Sequence, residues 1–274
     1  MNPQDHKTRA DDWRENGVVF PVSVLSAQEV SYFRDQLEDL EVRLGGRPTE
    51  SQLTEIHLFY RWAYDLVMHP RILDAVEDNL GPDILVWACS VFTKYARDPS
   101  FVSWHQDGTY WGLSGGDVLT AWLALSPSTV ANGCIRVVSG TQREPFHPHV
   151  ETYSEHNALS RGQEVAINID PAKVVDVELQ PGEMSLHDVR LIHGSNPNAS
   201  DIKRVGFTIR YVTPDVRPTD TEQMAVLARG KDRYRHFPLL ESPPSLPIDE
   251  ALAAHAISSE RHMASLRKTK GAFN

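Results

Sequence analysis

Residues 103–111 read SWHQDGTYW. His105 and Asp107 stand two positions apart, and in a strand positions i and i+2 project from the same face. An imidazole beside a carboxylate supplies two ligands of a metal site that needs a third. The chain carries 12 histidines, so context must choose it. His187 and His193 lie in SLHDVRLIHGS, which reads as one strand, and their even spacing puts both on one face. His193 ends an apolar run and is followed by Gly194 and Ser195, where the backbone can open around a ligand. Beyond a polar turn, Arg204 opens the next strand, and an antiparallel return brings it near His193. These features favour His193 as the distal ligand and leave His187 as a histidine of the core or one that supports the ligands without touching the metal. His147 and His149 also have ligand spacing, but Pro148 between them predicts a loop and a surface pair. His6, His69, His156, His236, His255 and His262 read as solvated or locally hydrogen-bonded.

The elements that must position these groups change character along the chain. Ser26 and Glu29 form an S-x-x-E capping box. Behind it Val30, Phe33, Leu37, Leu40 and Leu44 recur at helical spacing until Gly45. A second helix is predicted from about Leu53 to Met68 and a third from Pro70 to Gly81. From residue 84 the runs become short and β-rich (ILVWACSVFTKY, VLTAWLALS, CIRVVSG, VVDVELQ, RVGFTIRYV), punctuated by Gly, Pro, Asn and Ser. Strands following a helical layer predict a mainly β fold of jelly-roll or cupin type. We expect a single domain over 1–274: a mostly helical layer over 1–82, the β core over 84–213 and a C-terminal extension over 214–274 ending in a helix near 248–267.

A chain of 274 residues, 41% hydrophobic and 23% charged, is long enough to bury a large core without a disulfide or structural metal. The net charge of −10 argues against nucleic acid or an anionic membrane as partner. Cys89 and Cys134 sit in apolar contexts, read as buried free thiols, and form no CxxC motif. The start MNPQDHKTRADDW is too polar for a signal peptide, and ILVWACSVF is too short to span a bilayer. A cytoplasmic location is expected.

In combination, WHQDGTYW, ANGCIRVVSGTQ and GEMSLHDVRLIHGSNPNASDIKRVGF resemble the phytanoyl-CoA dioxygenase family over roughly residues 15–212. The resemblance implies a double-stranded β-helix and an Fe(II)/2-oxoglutarate-dependent hydroxylase. It implies that His105, Asp107 and His193 hold the iron. 2-Oxoglutarate then takes two of the remaining positions and O2 the third. Arg204 pairs with the far carboxylate of 2-oxoglutarate, for which the planar guanidinium fork is suited. Ser195 adds a hydroxyl bond there, Trp111 borders the cosubstrate and Lys94 reaches the C1 carboxylate. Related halogenases carry a small residue at the aspartate position, so Asp107 favours hydroxylation over chlorination.

The substrate is read from less. A CoA thioester wants a basic cluster for its phosphates, and none is present near the site, which favours a small polar metabolite. Candidate pocket residues are His57 and Trp62 in EIHLFYRW, with Tyr110 and, on the strand face of Arg204, Arg210. A jelly-roll metal-binding protein, or a metal-dependent hydrolase using the same triad without 2-oxoglutarate, is the alternative. Arg204 discriminates, because a hydrolase has no use for a dicarboxylate anchor.

Overall fold

The computed structural model describes residues 11–109, 111–159, 162–219 and 223–268, with side chains to 260. The fold is mainly β. Its strands are β1 (Val18–Ser23), β2 (Ile84–Lys94), β3 (Val102–His105), β4 (Leu113–Ser114), β5 (Val118–Ala124), β6 (Ile135–Val138), β7 (His149–Glu151), β8 (Gln163–Val165), β9 (Val174–Val177), β10 (Glu183–Asp188), β11 (His193–Ser195), β12 (Arg204–Val212), β13 (Arg217–Pro218) and β14 (Val226–Arg229). Four helices are named: α1 (Ala27–Arg43), α2 (Arg61–Val67), α3 (Pro70–Leu80) and α4 (Ile248–Lys268). The chain forms two compact units, one of Met1–Val24, Thr93–Trp111 and Leu119–Gly206, the other of Leu25–Phe92, Gly112–Val118 and Phe207–Asn274.

The first unit holds an antiparallel sheet in the order β3-β11-β6-β9 and the run β1-β10-β5. Val18, Trp122, Ala124, Ile135, Val137, Val177, Leu179 and Leu191 form a core there, with Phe20 packed against it. Strand β1 is an element that the helical reading of the N-terminal third did not anticipate. The stretch from His187 to His193 is two strands rather than one. β10 stops at Asp188, whose carboxylate accepts the Arg190 N–H at 2.8 Å. The Leu191 N–H then closes the turn on the Asp188 carbonyl at 3.0 Å. An aspartate bonding the backbone two residues ahead makes a turn that competes with a strand. The chain therefore changes sheets between the two histidines.

The second unit carries α1 to α4 and the strands β2 and β14, which pair antiparallel. The capping box of α1 is present: the Ser26 N–H donates to Glu29 Oε2 at 2.6 Å and the Glu29 N–H to Ser26 Oγ at 3.3 Å. Those bonds to Ser26 lead in holding the Glu29 carboxyl down at about 2. α3 runs as expected from Pro70, with Gly81 closing it at φ 81°. The predicted helix over 53–68 is replaced by two 3-10 turns, Glu50–Leu53 and Ile56–Leu58, followed by α2. Glu55 adopts a left-handed φ of 56°, and its N–H goes to the Cys89 carbonyl at 2.8 Å, so tertiary bonding to β2 overrides the helical pattern. α4 docks through His255, 2% exposed, whose Nε2–H donates to the Thr54 carbonyl at 2.8 Å while Nδ1 lies 3.2 Å from the Tyr60 hydroxyl. That corrects the reading of His255 as solvated or locally hydrogen-bonded, since both partners lie about 200 positions away along the chain. No described helix is long and apolar enough to cross a membrane.

Candidate metal centre

β3 ends at His105 because the next residue bonds away from the sheet. The Gln106 N–H donates to His149 Nε2 at 3.0 Å, and its side chain joins the Arg190 carbonyl at 2.7 Å and the His147 N–H at 2.8 Å. Asp107 then begins a 3-10 turn, Asp107–Thr109. The premise that His105 and Asp107 share a strand face is therefore wrong, though the two do meet: His105 Nε2 lies 3.3 Å from Asp107 Oδ1. The turn, rather than the pleat, brings the carboxylate round. Gly108 is needed in it, since a Cβ there would come within 2.6 Å of the Phe146 ring.

His193 stands directly opposite His105 in the β11–β3 register, with ring centroids 4.2 Å apart. The register slips between His193 and Ser195. Gly194 permits this, because a Cβ there would lie 2.8 Å from the Val102 carbonyl oxygen. His193 Nε2 is 3.8 Å from Asp107 Oδ1. Both rings are oriented by the backbone: His105 Nδ1 meets the Ser103 carbonyl at 2.9 Å and His193 Nδ1 the Leu191 carbonyl at 3.0 Å. A carbonyl only accepts, so each Nδ1 carries the proton and each Nε2 presents its lone pair. Burial pushes His193 down to about 3, which keeps it neutral and fit to ligate. Burial works against the Asp107 charge, but wherever the facing rings of His193, His105 and His187 carry protons at Nε2 they outweigh it, so the carboxyl is held well below its usual range. His105, Asp107 and His193 offer ligand atoms all within 4.8 Å of one another. Two neutral imidazoles and one ionised carboxylate, each imidazole backed by a carbonyl, fit one divalent transition metal.

Arg204 is 3% exposed and lies over the Trp122 ring, 5.2 Å from its centroid. Gly206 makes room for that ring, since a Cβ there would fall 2.0 Å from it. One arm of the guanidinium donates to the Gly133 carbonyl at 2.6 Å, while Nε has no partner. Burial lowers Arg204 to about 10, still charged at neutral pH. The expectation that Arg204 returns beside His193 in the same sheet is not met, because β11 pairs with β3 and β6. Lys94, 3% exposed, donates to Ser195 Oγ at 2.7 Å and to the Asn196 carbonyl. Burial, then Arg204, push Lys94 down to about 7. Lys94, Ser195 and Arg204 thus form a buried cationic cradle two residues along β11 from His193.

Trp111 is half-buried just after the Asp107 turn, and Tyr110 is outside the described residues, as is His6; the side chain of His262 is likewise outside them. In the second unit, His57 is fully buried with Nδ1 3.2 Å from Cys89 Sγ, and Trp62 packs on Phe207 at 6.3 Å between centroids. Arg210 donates to Ser90 Oγ at 2.8 Å. Both cysteines are buried and free. His149 is not a surface residue of a loop: it begins β7 and accepts the backbone N–H between two metal-site residues. Gln106 and His149 were the residues that sequence reasoning missed, and the only signal was the H-x-H spacing read as a surface pair.

Fold and site together define a metalloenzyme with a buried mononuclear centre and an anion cradle beside it. The profile of the phytanoyl-CoA dioxygenase (PhyH) family matches residues 13–206, and the chain belongs to that family. The solved apo structure of ThoJ, a non-heme monooxygenase, is 34% identical with a TM-score of 0.82, covering 95% of this chain and 99% of its own. A probable alpha-ketoglutarate-dependent hypophosphite dioxygenase of Stutzerimonas stutzeri is 25% identical over 226 residues, 76% of this chain and 78% of the relative. A probable phytanoyl-CoA dioxygenase of Caenorhabditis elegans is 24% identical over 263 residues, 89% of this chain and 80% of the relative.

Proposed function

We propose that this chain, an Fe(II)/2-oxoglutarate-dependent dioxygenase by family, hydroxylates a small polar metabolite. The observation that carries the reading is Arg204. A buried guanidinium whose Nε lacks a partner, beside a second buried cation and a hydroxyl, suits an anion that brings its own negative charge. The far carboxylate of 2-oxoglutarate is such a group. Fe(II), held by His105, Asp107 and His193, supplies the O2 chemistry that couples decarboxylation of 2-oxoglutarate to succinate with oxidation of the substrate. The residues of the chain do the rest. The two histidine Nε2 atoms and Asp107 Oδ1 face one another and would hold the metal between them. Arg204 and Ser195 hold the carboxylate, and Trp111 borders the cosubstrate. Lys94 joins the Arg204 end of the cosubstrate rather than C1, a placement supported by its bond to Ser195 Oγ.

The changeover of the chain between sheets at His187–His193 supports a double-stranded β-helix. Neither compact unit is a continuous stretch of chain, which supports one oxygenase domain. The small polar substrate is supported by the net charge of −10 and by the hypophosphite named for the S. stutzeri relative. A hydrolase or structural metal site with the same triad leaves the Arg204–Lys94 cradle without a purpose. The test is succinate release by the Fe(II) protein, scored over a panel of small acids and polar metabolites with a CoA thioester for comparison. Stimulation by a small polar compound is expected. An Fe(II) protein that develops no charge-transfer absorbance with 2-oxoglutarate would overturn the assignment.

A further inference from the structure

His187 is 2% exposed, and neither of its ring nitrogens has a hydrogen-bond partner. A buried polar atom left unpaired costs free energy, so a residue of this kind needs a reason to be there. Its neighbours supply one. In the β10–β5 register His187 stands opposite Thr120, so the two side chains share a face. The Thr120 hydroxyl donates to Asp107 Oδ2 at 3.3 Å, and His187 Nε2 lies 3.8 Å from that same oxygen. The His187 ring sits 4.8 Å from the His193 ring, centroid to centroid. The two oxygens of Asp107 therefore keep different company. Oδ1 faces His105 and His193, and Oδ2 faces Thr120 and His187.

We propose that His187 is a positioning residue which, with Thr120, holds Asp107 Oδ2 and so presents Asp107 to the metal through Oδ1 alone. A carboxylate with both oxygens free can chelate and take two positions on the metal. One whose outer oxygen receives the Thr120 O–H and faces the His187 Nε2 at 3.8 Å, near enough for a small movement to make it a donor, gives a single position and a fixed plane. Single attachment matters in this site because cosubstrate and O2 together require three open positions. The inference rests on the metal reading above.

The experiment uses Co(II) in the full chain, because its d–d absorption reports coordination number and its titration gives affinity without turnover. His187→Phe removes the donor and keeps a ring, His187→Gln returns an N–H, and Thr120→Val removes the second donor. His187→Phe is expected to weaken Co(II) binding about ten- to a hundredfold and to alter the d–d bands. His187→Gln should restore most of both, and Thr120→Val should shift them in the same direction by less. Thr120→Val tests the same oxygen even if His187→Phe does not fold. Parent-like Co(II) spectra and affinity in both His187→Phe and Thr120→Val would overturn the inference while leaving the metal reading intact. So would a His187→Gln protein as impaired as His187→Phe, which is how a ligand or a packing residue behaves. A parent protein that binds neither Co(II) nor Fe(II) overturns the metal reading and this inference together.

Discussion

His193 and His57 are both buried, and burial pushes both down to about 3. By titration alone they are twins. Their surroundings differ. His193 has its Nδ1 tied to a backbone carbonyl and its Nε2 aimed at a carboxylate that a second histidine also faces. His57 has its Nδ1 beside the Cys89 thiol, itself pushed up to about 12 by burial, and its Nε2 meets nothing. One arrangement aims lone pairs at a common point. The other is a neutral imidazole–thiol contact in a core. A buried, neutral histidine is thus only the precondition for ligation, and convergence with a carboxylate makes the site.

The sharpest way to break that comparison is paired substitution. His193→Ala should abolish Fe(II)-dependent succinate release and Fe(II) binding with little change in the thermal midpoint of the metal-free protein. His57→Ala should keep Fe(II) binding and instead cost about 2–4 kcal/mol of stability through the lost buried volume. Calorimetric titration with Fe(II) and denaturant unfolding of both variants would measure this, and metal loss in His57→Ala would erase the distinction.

The cation cradle gives the next largest effect. Arg204→Lys keeps the charge but loses the planar fork. Hydrogen bonds to charged groups contribute roughly 1.5–3 kcal/mol, so 2-oxoglutarate should bind about one to two orders of magnitude more weakly. Arg204→Ala should weaken it further, while Fe(II) affinity without cosubstrate stays near that of the parent. Charge-transfer absorbance during a 2-oxoglutarate titration reads both. Arg210 on the same strand provides the contrast, since it has the Glu50 carboxylate within electrostatic reach as well as the bond to Ser90, and Arg210→Lys should leave this titration unchanged.

Lys94 adds a pH signature. Its folded value of about 7 lies below the ordinary 10.5. A bound carboxylate favours the charged lysine, so the dissociation constant for 2-oxoglutarate should rise as pH climbs above about 7, by up to about tenfold per unit. Lys94→Met should flatten that rise. Stability of the cosubstrate-free protein has the opposite trend. Between about 7 and 10.5 the unfolded chain holds a proton that the folded chain has released, so this group makes stability increase with pH over that window. A thermal midpoint series on parent and Lys94→Met tests the sign.

The smallest effect is expected at His149. Removing its ring in His149→Ala leaves the Gln106 N–H unpaired, which costs about 1–3 kcal/mol and loosens the turn that brings Asp107 to His105. Fe(II) affinity should fall less than in any ligand variant, as a direct titration would show.

The sequence by itself settled what local chemistry controls. The capping box at Ser26 and Glu29, the proline and glycine that bound α3, and the apolar periodicity of the β-rich runs all act within a few residues. Residue type and order also singled out His105, Asp107 and His193, which the fold brings together, and Arg204, which we propose as the dicarboxylate anchor. What local pattern could not decide was how they meet. Asp107 reaches His105 through a turn in which the intervening Gln106 is held by His147 and His149, from a distant part of the chain. The strand expected from His187 to His193 breaks at an aspartate turn, and the helix expected over 53–68 gives way to bonds with β2. Lys94 turns to Ser195, about a hundred positions away along the chain. The aspartate turn is local and lies within a few residues, but each of the other outcomes depends on a hydrogen bond between segments far apart in sequence, and no window of neighbouring residues contains both partners.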